Sequence, residues 1–272
     1  MSLQDKTLFI TGASRGIGRE IALRAARDGA NIVIAAKSTE AHPKLPGTIH
    51  SVAAEVEAAG GKALALQLDV RDEEAVKAAM AKAAEHFGGI DVLINNAGAI
   101  KLMGVEHLPP KRFDLMFQIN TRAVMVCSQA ALPYLKKSQG HILSLSPPIN
   151  LDPKWFANYG PYTTTKYGMS MLTLGMHEEF KKYGISVNSL WPKTVIATAA
   201  IEFEAGGPAV MKAARLPAIM ADAAYAILSS NERSISGRLL IDEELLREQG
   251  VSDFEHYRYD PSGKLMTDLF VD

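Results

Sequence analysis

Residues 7–18 read Thr7-Leu8-Phe9-Ile10-Thr11-Gly12-Ala13-Ser14-Arg15-Gly16-Ile17-Gly18, an apolar run that leads into a turn rich in glycine. The apolar run predicts a buried strand, and the residues after the turn predict a helix. Between a first strand and a first helix, such glycines indicate dinucleotide binding. Gly12 would permit the tight turn, Gly16 would let the backbone approach a pyrophosphate, and Gly18 would allow close packing of helix on strand. The free N–H groups at the N-terminus of the helix would suit the phosphates.

Beyond this turn, strand-like runs alternate with helical stretches along nearly the whole chain. Strands are predicted at Thr7–Ile10, Asn31–Ala35, Ala63–Leu68, Val92–Asn95, His141–Leu145, Ser186–Leu190 and Arg238–Ile241. Helices are predicted at Gly16–Asp28, Ser51–Ala59, Asp72–Phe87, Lys111–Lys136, Pro161–Tyr183 and Met220–Ser230. Continuously apolar strands indicate burial on both faces, and strand–helix alternation is typical of parallel βαβ units. We therefore expect one α/β domain over residues 1–272, with a Rossmann-like, doubly wound parallel sheet of about seven strands and a C-terminal extension over 243–272.

Composition limits the class of protein. The 272 residues are 47% hydrophobic and 22% charged, with a formal net charge of −1, which leaves no broad basic face for nucleic acid. The one cysteine, Cys127, excludes an intrachain disulfide and fits a reducing compartment. No apolar run approaches the roughly 20 residues that span a bilayer, and no targeting motif or metal-binding histidine spacing is present. We expect a cytoplasmic protein with no metal, no membrane span and no nucleic-acid partner.

The end of the second predicted strand bears on the choice of cofactor. An NAD enzyme usually has an acidic residue there, which binds the ribose hydroxyls. Here Lys37 follows the strand, no acid comes before Glu40, and Arg15 lies in the glycine turn. Two cations near the adenosine ribose favour a 2′-phosphate, so the sequence predicts NADP(H) rather than NAD(H). The alternative is that both residues are solvated surface cations.

A second motif, Tyr162-Thr163-Thr164-Thr165-Lys166, lies in a predicted helix. Residues four apart share a helix face, so the phenol and the ammonium would be neighbours. The pKa of a free tyrosine is about 10, and a nearby cation lowers it. The pair therefore suits general acid–base work at a carbonyl or alcohol, with Lys166 also free to bind the nicotinamide ribose. Alone the motif is weak, because such pairs are frequent on exposed helices; the glycine turn upstream gives it weight.

Together these motifs resemble the short-chain dehydrogenase/reductase family from Thr7 to about Asp242. Besides the glycine turn and the Tyr162/Lys166 pair, the resemblance rests on Asp69-Val70, Asn95-Asn96-Ala97-Gly98 and Asn120. Further runs are similar to the hydroxysteroid dehydrogenase-like protein 2 subgroup: Ile34-Ala35-Ala36-Lys37, His42-Pro43-Lys44, Ser146-Pro147-Pro148 and Leu190-Trp191-Pro192-Lys193-Thr194.

The resemblance implies roles for the matched positions, from the adenine to the nicotinamide end of the cofactor. Asn120 would hold a water that links Lys166 to solvent, and Val195 or Ile196 would offer backbone groups to the nicotinamide amide. The implied cofactor-binding set is Thr11, Gly12, Ser14, Arg15, Gly16, Ile17, Gly18, Lys37, Asp69, Val70, Asn96, Ala97, Gly98, Lys166, Pro192, Val195 and Thr198. The implied catalytic set is Tyr162, Lys166, Asn120 and Ser146. The alternatives are structural roles: Asp69 as a helix cap, Asn95 and Asn96 as turn residues, and Asn120 as a helix kink.

Two positions depart from the family pattern. The family usually places a serine after the fifth strand to bind the substrate oxygen, but alignment on the strand puts Pro147 there and Ser146 one residue early. Since proline has no side-chain donor and no N–H, Ser146 would substitute, Tyr162 would act alone, or the protein would be a poor catalyst. Lys193 stands where a glycine is common. It would attract an acidic substrate or lie solvated in its loop.

Three further segments border the expected site. The aromatic residues Trp155, Phe156 and Tyr159 suggest an apolar substrate wall or packing under a loop. The stretch Ala199–Leu216 follows a strand end and could be a lid. The tail after Asp242 would be a surface extension, an oligomer contact or a pocket cover.

The sequence thus predicts an NADP(H)-dependent oxidoreductase that transfers a hydride between the nicotinamide and a small, apolar carbonyl or alcohol. The alternative is a cofactor-binding scaffold or sensor with weak or no catalysis, motivated by Pro147. The apolar positions of the two longest predicted helices would build a homodimer or homotetramer.

Overall fold

The computed structural model describes residues 2–43, 45–230 and 235–272. Its strands are β1 Thr7–Thr11, β2 Asn31–Ala36, β3 Lys62–Gln67, β4 Val92–Asn95, β5 His141–Ser144, β6 Ser186–Trp191 and β7 Leu239–Ile241. Its α-helices are α1 Gly16–Ala26, α2 Ile49–Ala58, α3 Glu73–Phe87, α4 Pro110–Phe117, α5 Ala123–Ser138, α6 Lys154–Ala157, α7 Gly160–Phe180, α8 Gly207–Lys212, α9 Ala218–Leu228 and α10 Asp242–Glu248. Lys44, which belongs to the quoted run His42-Pro43-Lys44, lies outside the described residues.

The strands form one parallel sheet with the order β3-β2-β1-β4-β5-β6-β7. Successive strands β2 and β3 lie on one side of β1, whereas β4 to β7 lie on the other side, so the order of strand addition reverses between β1 and β4. In such sheets a crevice opens at the carboxyl ends of these two strands. The glycine turn, which follows β1, lies at this switch point. The expected Rossmann-like, doubly wound fold is confirmed, and so is each of the seven predicted strands to within one or two residues of its bounds.

Burial on both faces explains the continuous apolar character of the central strands. In β1, Leu8 and Ile10 pack into a core with α1, α2, α9 and α10, whereas Phe9 packs into a second core with α3, α5 and α7. Cys127 of α5 lies in this second core, where burial raises the pKa of its thiol to about 12. The cysteine is therefore a core residue.

The predicted helix Lys111–Lys136 is helical along its whole length, but it is not a single α-helix. The structure divides it into α4, a π-helical turn over Gln118–Arg122 and α5. Within this turn the Asn120 amide is bonded to the segment after β4 and to α7. Single-turn π-helices are frequent at functional sites.

Elements that the sequence analysis did not predict lie late in the chain. The stretch Ala199–Leu216 contains a π-helical turn, Ile201–Ala205, and α8, and the tail begins with α10. These helices are too short for a 3.6-residue pattern to be read from sequence. Among the described residues, no helix is both long enough and apolar enough to cross a bilayer.

Candidate active site

The turn after β1 is locked to the segment after β4. The Thr11 hydroxyl accepts the N–H groups of Asn96 and Ala97, each at 3.1 Å. The Asn96 amide donates to the carbonyls of Thr11 and Gly12 at 2.8 and 3.0 Å. A Cβ added to Gly18 would lie 2.4 Å from the Asn96 Nδ2 atom. Gly18 is therefore required by the approach of the asparagine as well as by helix packing.

Space for phosphates lies over the start of α1. Gly12 and Gly16 have φ angles of 68° and 57°, in the left-handed region that favours glycine. A Cβ at Gly16 would meet only the Thr198 side chain, at 3.5 Å, so the turn faces a groove between itself and the segment after β6. No side chain caps α1 and no acidic residue lies in its first turn, so its N–H groups and partial positive charge suit a pyrophosphate. The buried Ser14 and the partly buried Ile17 flank this groove.

Cations surround the far end of the groove, where an adenosine would lie. The Arg15 guanidinium donates to the Ser38 hydroxyl at 3.0 Å and to loop carbonyls at Pro46 and Gly47. Lys37 Nζ lies 3.2 Å from the carboxylate of Asp69.

Asp69 is also held by Arg71, whose Nε donates to Oδ1 at 2.9 Å. Hydrogen bonds from Arg71, and less from Lys37, hold the pKa of Asp69 well below its ordinary value. The sequence analysis did not identify Arg71 as a partner of Asp69, although its position two residues after the aspartate could have suggested it. Val70 between them is buried.

The predicted acid–base pair lies on one buried face of α7. Tyr162 and Lys166 are 6% and 7% exposed. Lys166 Nζ donates to the Leu145 carbonyl, just beyond β5, at 2.6 Å and lies 4.8 Å from the centre of the Trp191 ring. The Tyr162 hydroxyl has no hydrogen-bond partner among the described residues. The elements that hold the pair, β5, β6 and α7, thus direct it to the same edge of the sheet as the glycine turn.

The electrostatics of the pair differ from the expectation that Lys166 lowers the pKa of Tyr162. Burial, and then the charge of Asp268, raises the pKa of Tyr162 above its ordinary value. Burial also lowers the pKa of Lys166 to about 7, against a smaller opposing effect of Asp268. The expectation was wrong for this arrangement because desolvation outweighs the cation, whose ammonium is turned to the Leu145 carbonyl.

Asn120, in the π-helical turn, is fully buried. Its Nδ2 donates to the Ala99 carbonyl at 2.9 Å and to Thr165 Oγ1 at 3.0 Å, and its Oδ1 accepts from the Ala99 N–H at 2.8 Å. The side chain therefore fixes α7 against the segment after β4, one residue before Lys166. Gly98, beside it, is exposed.

At the usual serine position, the structure buries both Ser146 and Pro147. The Ser146 hydroxyl is a buried polar group without a hydrogen-bond partner among the described residues. The Pro147 carbonyl accepts the Ser170 hydroxyl of α7 at 2.6 Å. A buried hydroxyl without a partner is uncommon and marks Ser146 as a donor that a ligand could satisfy.

The segment after β6 forms the wall that faces the glycine turn. Pro192 is buried, and Thr198 lies beside Gly16. The N–H of Val195 already donates to the Met266 carbonyl at 3.0 Å, and its carbonyl accepts the Arg215 N–H at 2.9 Å. Val195 and Ile196 were predicted to offer backbone groups to a nicotinamide, and of these two, Val195 already has both its N–H and its carbonyl hydrogen-bonded within the protein.

The end of the chain covers the Tyr162 side of the crevice. Phe270 is 1% exposed, and its ring stacks on that of Tyr162 with the centroids 6.3 Å apart. Trp155 and Trp191 also contact it, at 5.8 and 5.9 Å between centroids. Of the three roles considered for the tail, a pocket cover fits this packing. Phe156 lies further out than Trp155 and is 38% exposed.

Other sites in the described part of the chain offer less chemistry. A cavity of about 520 Å³ opens at the amino ends of β1 and β4, lined by Thr7, Asp91 and Lys137 among others, on the opposite edge of the sheet from the glycine turn. Lys193, the second departure, turns its Nζ to Glu244 at 3.4 Å. Within the described residues, no group of three His, Cys, Asp or Glu side chains could hold a metal ion.

Known proteins share both the sequence and the fold. A sequence model of short chain dehydrogenases matches residues 6–205. Hydroxysteroid dehydrogenase-like protein 2 of Xenopus tropicalis is 58% identical over 98% of this chain, which spans 63% of the length of that relative. A crystal structure described as a dehydrogenase from Xanthomonas campestris has a TM-score of 0.96 and 53% identity, and covers 100% of both chains.

A more distant structure agrees in fold alone. Carveol dehydrogenase from Mycobacterium avium in complex with NAD has a TM-score of 0.75 and 24% identity over 88% of this chain and 96% of its own. The match of the family model, together with the sheet order and the glycine turn, leads to one conclusion. The chain belongs to the short-chain dehydrogenase/reductase family of oxidoreductases, whose fold binds a nicotinamide cofactor.

Proposed function

We propose that residues 1–272 form one domain that reduces a carbonyl, or oxidises the corresponding alcohol, with NADP(H). The observation that carries this proposal is the position of Tyr162 and Lys166. They share a face of α7 at the carboxyl edge of the sheet, which the glycine turn also borders, and the tyrosine hydroxyl has no hydrogen-bond partner among the described residues. A hydroxyl in that position is available to a substrate oxygen.

The cofactor, when bound, supplies or accepts the hydride. In the direction of reduction, Tyr162 donates its phenolic proton to the substrate oxygen and regains one from solvent. Because burial raises the pKa of Tyr162, the protonated form that this step needs prevails at neutral pH. Lys166 binds the nicotinamide ribose and, as an ammonium, stabilises the phenolate left after proton donation. Asn120 holds α7 in register, and Ser146 offers a second donor to the substrate oxygen.

The choice of NADP(H) rests on charge at the adenosine end of the groove. Arg15 bonds to Ser38 there, and Lys37 and Arg71 both contact one carboxylate, Asp69. A 2′-phosphate would meet Arg15 and Lys37 directly through charge-assisted hydrogen bonds. NAD(H) is the alternative cofactor, and comparable affinities for NADPH and NADH would favour it.

A cofactor-binding scaffold with weak or no catalysis is the second candidate. Pro147 occupies the usual position of the serine, and the raised pKa of Tyr162 disfavours the phenolate that alcohol oxidation requires. This candidate predicts tight cofactor binding without turnover.

The surroundings of the pair suggest the partner molecules. Trp155, Trp191 and Phe270 form an apolar wall, which suits a small apolar carbonyl substrate. Met125 of α5 and Met171 of α7 are 42% and 59% exposed. Apolar side chains on these two helices suit an oligomer contact, so a homodimer or homotetramer in the cytoplasm is part of the proposal. A mass equal to one chain in light scattering would contradict the oligomer.

The experiment that tests the activity is NADPH consumption by the purified protein against aldehydes, ketones, quinones and 3-oxoacyl thioesters. Steroid, fatty acyl and quinone carbonyls are all candidates, because a fold does not determine a substrate. Turnover with at least one carbonyl class is expected. Tight NADPH binding without turnover across the panel would favour the scaffold.

A further inference from the structure

The segment Met266–Asp272, here called the C-terminal strap, is bonded through its backbone to the segment after β6. Val195 donates its N–H to the Met266 carbonyl, and Asp268 donates its N–H to the Lys193 carbonyl, each at 3.0 Å. The strap therefore runs along the same segment that faces the glycine turn.

The strap carries Phe270 into a cluster of aromatic rings beside the acid–base pair. Its ring stacks on that of Tyr162, with the centroids 6.3 Å apart and the ring planes inclined by 27°. The centroids of Tyr167, Trp155 and Trp191 lie 5.2, 5.8 and 5.9 Å from that of Phe270. Rings at such separations are in contact, and Phe270 is only 1% exposed. The ring of Phe270 therefore fills the space between the four other rings.

Contacts on both sides of Phe270 along the chain hold its ring in this place. Before it, the Leu269 carbonyl accepts the Trp191 Nε1–H at 2.8 Å. After it, the carboxylate of Asp272 accepts the Lys154 ammonium at 2.6 Å. The φ angle of Phe270 is 70°, in the left-handed region, which a bulky residue adopts rarely and keeps only where its surroundings impose it. The position of the ring is thus determined by the structure around it.

This packing limits the approach to the catalytic hydroxyl. Tyr162 is 6% exposed, and the face of its ring that stacks on Phe270 is already covered. A substrate carbonyl has to reach the Tyr162 hydroxyl past these two rings. Because packed interiors leave little spare volume, a narrow methylene chain can pass where a ring attached to the carbonyl would collide with Phe270.

We propose that Phe270 determines substrate specificity at Tyr162, and that it favours carbonyls on an unbranched chain over carbonyls attached to, or part of, a ring. The inference rests on the proposed function, because it assumes that the Tyr162 hydroxyl meets a substrate carbonyl. Among the candidate classes it favours fatty acyl carbonyls over steroids and quinones. The cause is the volume of one side chain, so a single substitution should relax the preference.

The test compares two aldehydes with the same number of carbon atoms, heptanal and cyclohexanecarbaldehyde, in wild type, Phe270→Ala and Phe156→Ala. Both phenylalanines contact the ring of Tyr167, at 5.2 and 5.8 Å between centroids, but among the described rings only Phe270 also stacks on Tyr162. Phe156→Ala is therefore the matched control for the loss of one ring. Phe270→Leu, which keeps an apolar side chain on the strap, is the second variant in case Phe270→Ala does not fold.

The quantity measured is the ratio of kcat/KM for heptanal to kcat/KM for cyclohexanecarbaldehyde, with NADPH as the reductant. In Phe270→Ala this ratio should fall at least about tenfold from its wild-type value, as expected when a group that collides with the substrate is removed from a pocket. Phe270→Leu should lower the ratio by a smaller factor, and Phe156→Ala should keep the wild-type ratio. An unchanged ratio in the folded Phe270 variants, or an equal fall in Phe156→Ala, overturns the proposal.

A second readout needs no turnover, because the chain has two tryptophans and both, Trp155 and Trp191, contact Phe270. Binding of cyclohexylmethanol, the alcohol of the ring-bearing aldehyde, is followed by tryptophan fluorescence without cofactor. Phe270→Ala should bind it at least about tenfold more tightly than wild type. Adding Tyr162→Phe should weaken this binding about fivefold, the loss of one hydrogen bond. A ring held only by an apolar cavity would bind equally well with and without the Tyr162 hydroxyl.

The two readouts separate this inference from the proposed function. If none of the proteins reduces either aldehyde, the proposed function fails for these carbonyls, and the fluorescence titration decides the role of Phe270. Tighter binding in Phe270→Ala that depends on the Tyr162 hydroxyl then supports the inference. Equal affinity in wild type and Phe270→Ala, or tighter binding that Tyr162→Phe leaves unchanged, overturns it.

Discussion

The two sides of the crevice differ in how they treat their polar groups. On the glycine-turn side, the Thr11 hydroxyl and the Asn96 amide bond each other's backbone, and both are satisfied. On the Tyr162 side, buried polar atoms of Ser146, Thr194 and Asp242 have no partner among the described residues. Since buried polar groups are normally paired, the first side is preformed, whereas the second holds buried polar atoms that lack a partner in the described part of the chain.

The largest effect is expected when the hydroxyl of Tyr162 is removed. Tyr162→Phe should lower kcat by about 10²–10⁴-fold, the usual contribution of general acid–base catalysis, with NADPH affinity unchanged. Steady-state kinetics and a fluorescence titration measure the two quantities. Tyr159→Phe, which alters a tyrosine at the start of the same helix, should remain active; equal losses in both variants would place the effect in packing.

The glycine-turn side should respond in stability rather than in chemistry. In Gly18→Ala, the new Cβ would press on Asn96 Nδ2 from 2.4 Å, so we expect a loss of about 1–3 kcal/mol in the free energy of unfolding. Gly175→Ala in α7 is the matched control, because its Cβ would meet nothing within 4 Å. The control should gain about 0.5–1 kcal/mol in a denaturant titration. An unchanged free energy of unfolding in Gly18→Ala would show that the contact between residue 18 and Asn96 tolerates an added methyl group.

Cofactor selectivity refines the picture of the preformed side. Lys37→Ala should weaken NADPH about tenfold, the loss of one charge-assisted hydrogen bond, and leave NADH unchanged. Lys62→Ala, an exposed lysine at the start of the next strand, should alter neither affinity. Unchanged affinity for NADPH in Lys37→Ala would make Lys37 a solvated cation and remove its part in the NADP(H) proposal.

The smallest expected effect lies at the start of β5, away from the crevice. Burial lowers the pKa of His141 to about 4, and its Nε2 atom contacts the Asn188 amide at 3.0 Å. Between about pH 6.5 and 4 the unfolded chain binds a proton that the folded chain excludes, so this histidine reduces stability as the pH falls. His141→Gln should flatten the decline in the free energy of unfolding over that window, whereas the exposed His107→Gln should not. Parallel declines in all three proteins would contradict it.

Local signals predicted the preformed side well. The apolar run of β1 and the glycines that follow it specify a strand, a turn and a helix within twelve residues, and the structure keeps that order. The Tyr162 and Lys166 positions also followed from one helical period. Such features depend on neighbours in sequence, which a single chain displays directly.

The Tyr162 side depends on contacts between residues that are far apart in the sequence. In the π-helical turn, the amide of Asn120 bonds Ala99 and Thr165, and Phe270 reaches Tyr162 in a segment whose backbone is bonded to the segment after β6. A single sequence does not display such long-range partners. One signal was present in the sequence but was not used: Leu269-Phe270-Val271 is an apolar run within a polar tail, a composition typical of a buried segment.

The central claim is that a hydride passes between the nicotinamide and a carbonyl carbon while Tyr162 supplies the proton. Its most direct test is reduction of the best carbonyl with NADPH in which both hydrogens at C4 of the nicotinamide are replaced by deuterium, in wild type and in Tyr162→Phe, with the product analysed by mass spectrometry. We predict one deuterium on the carbinol carbon in wild type and a rate of incorporation at least about 10²-fold lower in the variant. Binding of the labelled cofactor without incorporation, or incorporation at equal rates in both proteins, would contradict the account.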